Sequence, residues 1–275
     1  MGSHGGQRTA QFQGVVMKKP GQLGSGVNMR NVGLNRQLDW QSRKLTQLLA
    51  VLVGVLPFYA FIIWSHLTKD SPYTLQDLFL YPMVVGSLGI VWMVFVYTVL
   101  CGERLSSLNL RPGRWTGDLL MGILLTLVIF AWRLIEGMTI SQWLPRQPPP
   151  PEILNLIMGL AESPLLLALW LGPVVWIGVA VFEELGRVFI LNRLWCVWDH
   201  PVAQWGALAF SAVLFGLAHI YQGPQGAVSV GVIGLIFGIA YKLMGRVWPL
   251  IIAHALFDTI QIAWVVIQIR GGALQ

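Results

Sequence analysis

Charge is what this sequence has least of. Only 11% of its 275 residues are Asp, Glu, Lys or Arg, against about 25% in an ordinary soluble domain. Apolar residues make up 55%, and the mean hydropathy is +0.65. This composition excludes a solvated globular domain and leaves a polytopic, all-α membrane protein. Cysteine is almost missing too. Cys101 and Cys196 lie at the ends of apolar runs and resemble no metal motif, so they read as packing residues. The net charge of +6 is concentrated ahead of the first apolar run and is no nucleic-acid signal. Thirteen tryptophans suit anchoring at the headgroup level, which indole prefers.

Residues 1–44 are polar, Gly-rich and basic, with Lys18, Lys19, Arg36, Arg43 and Lys44 against a lone Asp39. They read as a mostly disordered cytoplasmic tail resting on anionic lipid. They show neither the cleavage site of a signal peptide nor the myristoylation pattern. Residues 45–144 form an N-terminal transmembrane half, with spans near 45–64, 79–101 and 117–137. Arg133 and Glu136, three apart near the end of the third span, can pair or line a pocket. Residues 145–151, with four consecutive prolines, make an extended loop that cannot be helix. Residues 152–275 form the C-terminal core. Residues 152–162 read as weakly amphipathic and interfacial. The run from Pro164 to Trp198 is too long for one upright helix, and Gly172-Pro173 is the place to break or kink it. Further spans follow near 203–221, 227–244 and 247–267.

Each span is long enough, at 1.5 Å per residue, to cross a core about 30 Å thick. The count is seven, or eight if Ile153–Leu171 crosses separately. Basic loops at 102–116 and 242–246 put the amino terminus in the cytoplasm. The location is an integral, multi-pass one, in the plasma (inner) membrane if the source is prokaryotic.

Against this apolar background the few ionisable groups stand out. Val181-Phe-Glu-Glu-Leu-Gly-Arg187 places Glu183, Glu184 and Arg187 inside a span, where such groups are expensive and mark function. Glu183 and Arg187 are four apart and can pair, while Glu184 lies about 100° round the helix. One carboxylate can then be neutralised while the other faces a cavity. The bland alternative is an ion pair locking two helices, but a lock needs only one carboxylate. His219 closes Phe215-Gly-Leu-Ala-His219. His254 and Asp258, four apart, share a face of the last span. A single buried histidine is ordinarily a satisfied core residue. Two of them, with two glutamates, an arginine and an aspartate on four consecutive spans, offer a water-activating base, a second proton carrier and oxyanion donors.

Other chemistries fit poorly. No Ser or Cys is obviously partnered by a histidine, only Asp258 among aspartates lies deep in a span, and no His-Glu-x-x-His helix is present. Zinc ligated by Glu, two His and Asp is a chemical variant.

The order Glu-Glu near Arg, Phe-x-x-x-His, then His-x-x-x-Asp resembles the intramembrane glutamic endopeptidases of the CAAX protease and bacteriocin-processing (CPBP) family, which includes the type II CAAX prenyl endopeptidases. The resemblance covers residues 175–262. Trp248-Pro-Leu-Ile-Ile-Ala-His254 and Arg104-Leu-Ser-Ser-Leu-Asn-Leu-Arg111 add to it. It implies a CAAX-protease-like helical bundle with a cavity open to one membrane face. It also implies hydrolysis of a peptide bond in a membrane-anchored protein or peptide, without a cofactor or metal. Glu183 and His219 would activate water, His254 with Asp258 would hold the oxyanion, and Glu184 and Arg187 would hold the site together. Two positions depart from the family pattern. Its first motif is usually Glu-Glu-x-x-x-Arg, whereas Arg187 is one residue earlier, which leaves open which glutamate is the base. Its last position is often Asn, and here it is Asp258.

Two other classes compete. One is a non-catalytic immunity or scaffold protein that binds a peptide in the same cavity. The other is a proton-coupled transporter, which internal inverted repeats would favour and none is seen. Seven upright spans would also leave Glu183 near the inner side and His219 near the outer one. Convergence requires the fourth span to run from about Val174 to Trp195, with tilted or broken helices.

Overall fold

The computed structural model describes residues 43–68, 75–104, 115–144, 147–148 and 151–272. The basic tail up to residue 42, the Lys69-Asp70 loop and most of the Arg104–Arg111 motif lie outside the described residues. Everything described is helix or short connection, with no strand among the described residues. Seven helices are long and apolar enough to cross a membrane, so the chain is a polytopic helical bundle.

Helix α1 is Arg43–Thr68, with a turn at Val55. Helix α2 is Leu75–Phe95 and runs on as a π turn over Val96–Leu100. Helix α3 is Trp115–Met138 and α4 is Pro151–Glu162. Helix α5 is the run Pro164–Val197, kinked at Gly172, followed by α6 (Pro201–Ala218), α7 (Gly223–Met244) and α8 (Trp248–Arg270).

Two expectations are corrected here. Pro151, placed in the extended loop, is instead the first residue of α4. Proline suits that position because the first helical N–H has no intrahelical partner anyway. The eighth span does not form: α4 has 12 residues, about 18 Å of helix, too short to cross. The run 164–197 is broken where Gly172-Pro173 led one to expect it. As one straight helix its 34 residues would be about 51 Å long, and instead two helical stretches meet at a kink. Gly172 breaks the helical dihedrals at φ −87, ψ −105, directly before Pro173. Trp170–Val181 is wound as π-helix, and regular α-helix resumes at Phe182, just ahead of the glutamates. A π segment is uncommon and tends to accompany functional sites.

In a bilayer, helices associate through close packing rather than through exclusion of water. Here α6 packs along α7, α3 along α8, and α2 against the π segment of α5. Small residues permit each close approach. A Cβ on Gly86 would strike the backbone of Gly178, and one on Gly216 would strike α7 at Ala227 and Gly231. The far end of α5 is fastened by buried Arg193. Its Nη1 donates to Gln47 Oε1 at 2.6 Å and its Nη2 to Tyr97 OH at 3.3 Å. Val188, Phe189, Ile190 and Leu191 are all buried, which makes α5 the central helix around which the others are laid.

Candidate active site

Glu184 and Arg187 are completely buried on α5, one helical turn apart. Arg187 Nε donates to Glu184 Oε2 at 2.9 Å and its Nη2 to Oε1 at 3.3 Å. Arg187 Nη1 donates to the Gly234 carbonyl at 3.0 Å. The guanidinium also lies over the Phe215 ring, 4.2 Å from its centroid, a contact that suits a delocalised cation. A Cβ on Gly234 would come within 3.0 Å of Arg187 Nη1, so a residue without a side chain is what lets the arginine seat there. The pairing expected from four-residue spacing, Glu183 with Arg187, is therefore not the one formed. Glu184 takes the arginine and Glu183 is left for the cavity.

From α8, His254 Nδ1 donates to Glu184 Oε1 at 2.9 Å. Both oxygens of Glu184 are thus engaged. The Nε2 edge of His254 faces Glu183 Oε2 and Asp258 Oδ2, each at 3.6 Å. Phe237 stacks on the imidazole at a centroid distance of 5.7 Å. Glu183 Oε2 is buried and makes no hydrogen bond.

His219 closes α6. Its Nδ1 lies 2.9 Å from the Phe215 carbonyl. A carbonyl only accepts, so Nδ1 carries the hydrogen and Nε2 keeps its lone pair in the neutral ring. In that form Nε2 is an acceptor and potential base.

Glu183, His219, His254 and Asp258 line one cavity of about 720 Å³, large enough for a peptide segment. The structure thus brings four of the six sequence candidates to the cavity and sets Glu184 and Arg187 behind them. As convergence required, the stretch of α5 that carries Glu183 begins beside the Gly172 break, close to Val174, and runs to Val197. Helices α2 and α4 supply an apolar wall through Tyr81, Val85, Leu156 and Leu160. Arg133 lines the cavity as well, paired with Glu136. His66, Tyr221 and Gln261 also line it but were not singled out from the sequence. Polar residues near the ends of apolar runs were the signal for the first two, and a glutamine inside α8 for the third. Among the described residues no group of three His, Cys, Asp or Glu side chains is placed to hold a metal ion.

Comparison with curated proteins found no match, and comparison with solved structures found none. Residues 164–260 match a family model described as type II CAAX prenyl endopeptidase Rce1-like. That match opens at the first residue of α5, includes every candidate site residue and points to a protease. Over α5 to α8 the chain is thus similar to the type II CAAX prenyl endopeptidases, in agreement with the CPBP family.

Proposed function

We propose that this chain is an intramembrane endopeptidase of the glutamic type, cleaving a membrane-anchored protein or peptide. The observation that carries this reading is the division of labour between adjacent glutamates. Glu184 is saturated by Arg187 and His254, while Glu183 keeps a buried oxygen without a hydrogen bond. Glu183 takes a proton from water held between its carboxylate and His219 Nε2. The resulting hydroxide attacks the peptide carbonyl. His254 acts as the imidazolium, in which both nitrogens carry hydrogen: Nδ1 donates to Glu184 and Nε2 donates to the oxyanion, with the Asp258 carboxylate one turn away beside Nε2. Glu183 then returns the proton to the leaving amine. No step calls for a metal. By the positive-inside rule the amino terminus lies in the cytoplasm, and in a prokaryote the membrane is the plasma membrane.

The test compares protein termini, by mass spectrometry of membrane and secreted fractions, in cells carrying wild-type protein or Glu183→Gln at equal levels. A discrete set of processed termini disappears in the variant. The reconstituted wild type cleaves the corresponding substrate in the presence of a chelator, and the variant is slower by about 10²- to 10⁴-fold. Unchanged termini, under conditions where Glu183→Gln rescues the phenotype of a deletion, would sink the protease reading in favour of peptide binding.

A further inference from the structure

Helix α8 presents more than His254 and Asp258 to the cavity. Gln261 and Val265 line it as well. The successive spacings of four, three and four residues put all four side chains within about 60° of one another on one face of the helix. That face runs from the proposed catalytic groups to an apolar end. There it meets Leu156 and Leu160 of α4, which line the same cavity. Arg270 Nε donates to the Ala161 carbonyl at 2.7 Å and ties α8 to α4. Gln261 is the polar group midway along this face. A glutamine inside a membrane span ordinarily hydrogen-bonds to a neighbouring helix. Here its carboxamide has no hydrogen-bond partner among the described residues. Leaving its donors and acceptor dry at that depth is costly, so their partner comes from whatever fills the cavity.

We propose that Gln261 binds the main chain of the segment being cleaved, about three residues from the scissile bond. This rests on the protease reading. A primary carboxamide donates and accepts side by side, which matches the C=O and N–H of an extended peptide whatever its side chains. The pairing therefore sets the register of the segment rather than selecting its sequence. Gln261 stands seven residues beyond His254, or about 10.5 Å along α8. An extended chain covers that distance in about three residues at about 3.3 Å each. A peptide held in this way lies along α8, with its next residues against the apolar wall of α4.

The test uses the full-length Glu183→Gln protein in nanodiscs and a library of N-palmitoylated peptides, with retained peptides identified by mass spectrometry. Each retained sequence is remade with one backbone amide at a time replaced by an ester, which keeps the shape and removes the N–H. The wild-type protein, incubated with the same peptides, marks the cleaved bond. An ester about three residues from that bond weakens retention by about five- to thirty-fold. In the Glu183→Gln, Gln261→Met protein that ester costs nothing, while esters elsewhere keep their effects, a coupling that general loss of structure does not produce. Gln261→Asn, whose amide falls one methylene short, loses the same coupling and serves where Gln261→Met fails to fold. An absence of any retention overturns the proposal, as does coupling confined to the two residues at the cleaved bond. Ester effects indifferent to Gln261 also overturn it and leave the carboxamide holding cavity water alone. Cleavage without coupling removes the main-chain site and leaves the protease reading standing. Coupling without cleavage removes the protease reading alone.

Discussion

Replacing Glu184 by Gln keeps its shape but strips Arg187 of its counter-ion where both groups have no exposed surface. Breaking a buried pair from one side costs about 3–5 kcal/mol, since the remaining charge stays desolvated. Glu184→Gln therefore lowers thermal stability in detergent, whereas Glu183→Gln leaves the melting temperature within a few degrees of wild type while removing activity. A Glu183→Gln protein that melts as early as Glu184→Gln would contradict this separation of roles. The same pair shows where sequence stops being informative. Positions three and four apart are both neighbours on a helix, so Arg187 could be assigned to either glutamate. What selects Glu184 is tertiary: the Gly234 carbonyl, the Phe215 ring and His254 Nδ1 all stand on that side. Ionisable residues within apolar runs were easy to find because so little else there is polar.

At the scale of elements, the contact between α2 and the π segment of α5 is decided by two glycines. A side chain at Gly178 would stand 2.8 Å from the Pro82 carbonyl oxygen, and both residues border the cavity. Gly178→Val pushes the two helices apart at a cost of about 1–3 kcal/mol, read as an earlier melt in detergent. A variant as stable as wild type would show that the contact is looser than it looks. The π winding itself was not legible. Bonding between residues five apart leaves no compositional mark, and Gly172-Pro173 signalled only that the helix would bend. The proline run misled by one residue, because a helix can begin on proline though not continue through it.

At the scale of the whole molecule, hydropathy was enough to read the bundle and its seven spans, since an apolar run of some 20 residues has few other places to go. It could not bring Glu183 and His219 to one depth, because that depends on how far α5 extends and tilts. The internal counter-ion of α5 has a consequence for synthesis. Its partners on α7 and α8 are made later, yet Arg187 already has Glu184 one turn away, so the helix leaves the translocon with that charge compensated. A chain halted after Val197 and carrying a glycosylation reporter should thus insert α5, and exchanging Glu184 for Gln should lower the inserted fraction. Equal insertion of both would mean that α5 waits for α7 and α8 before it commits to lipid.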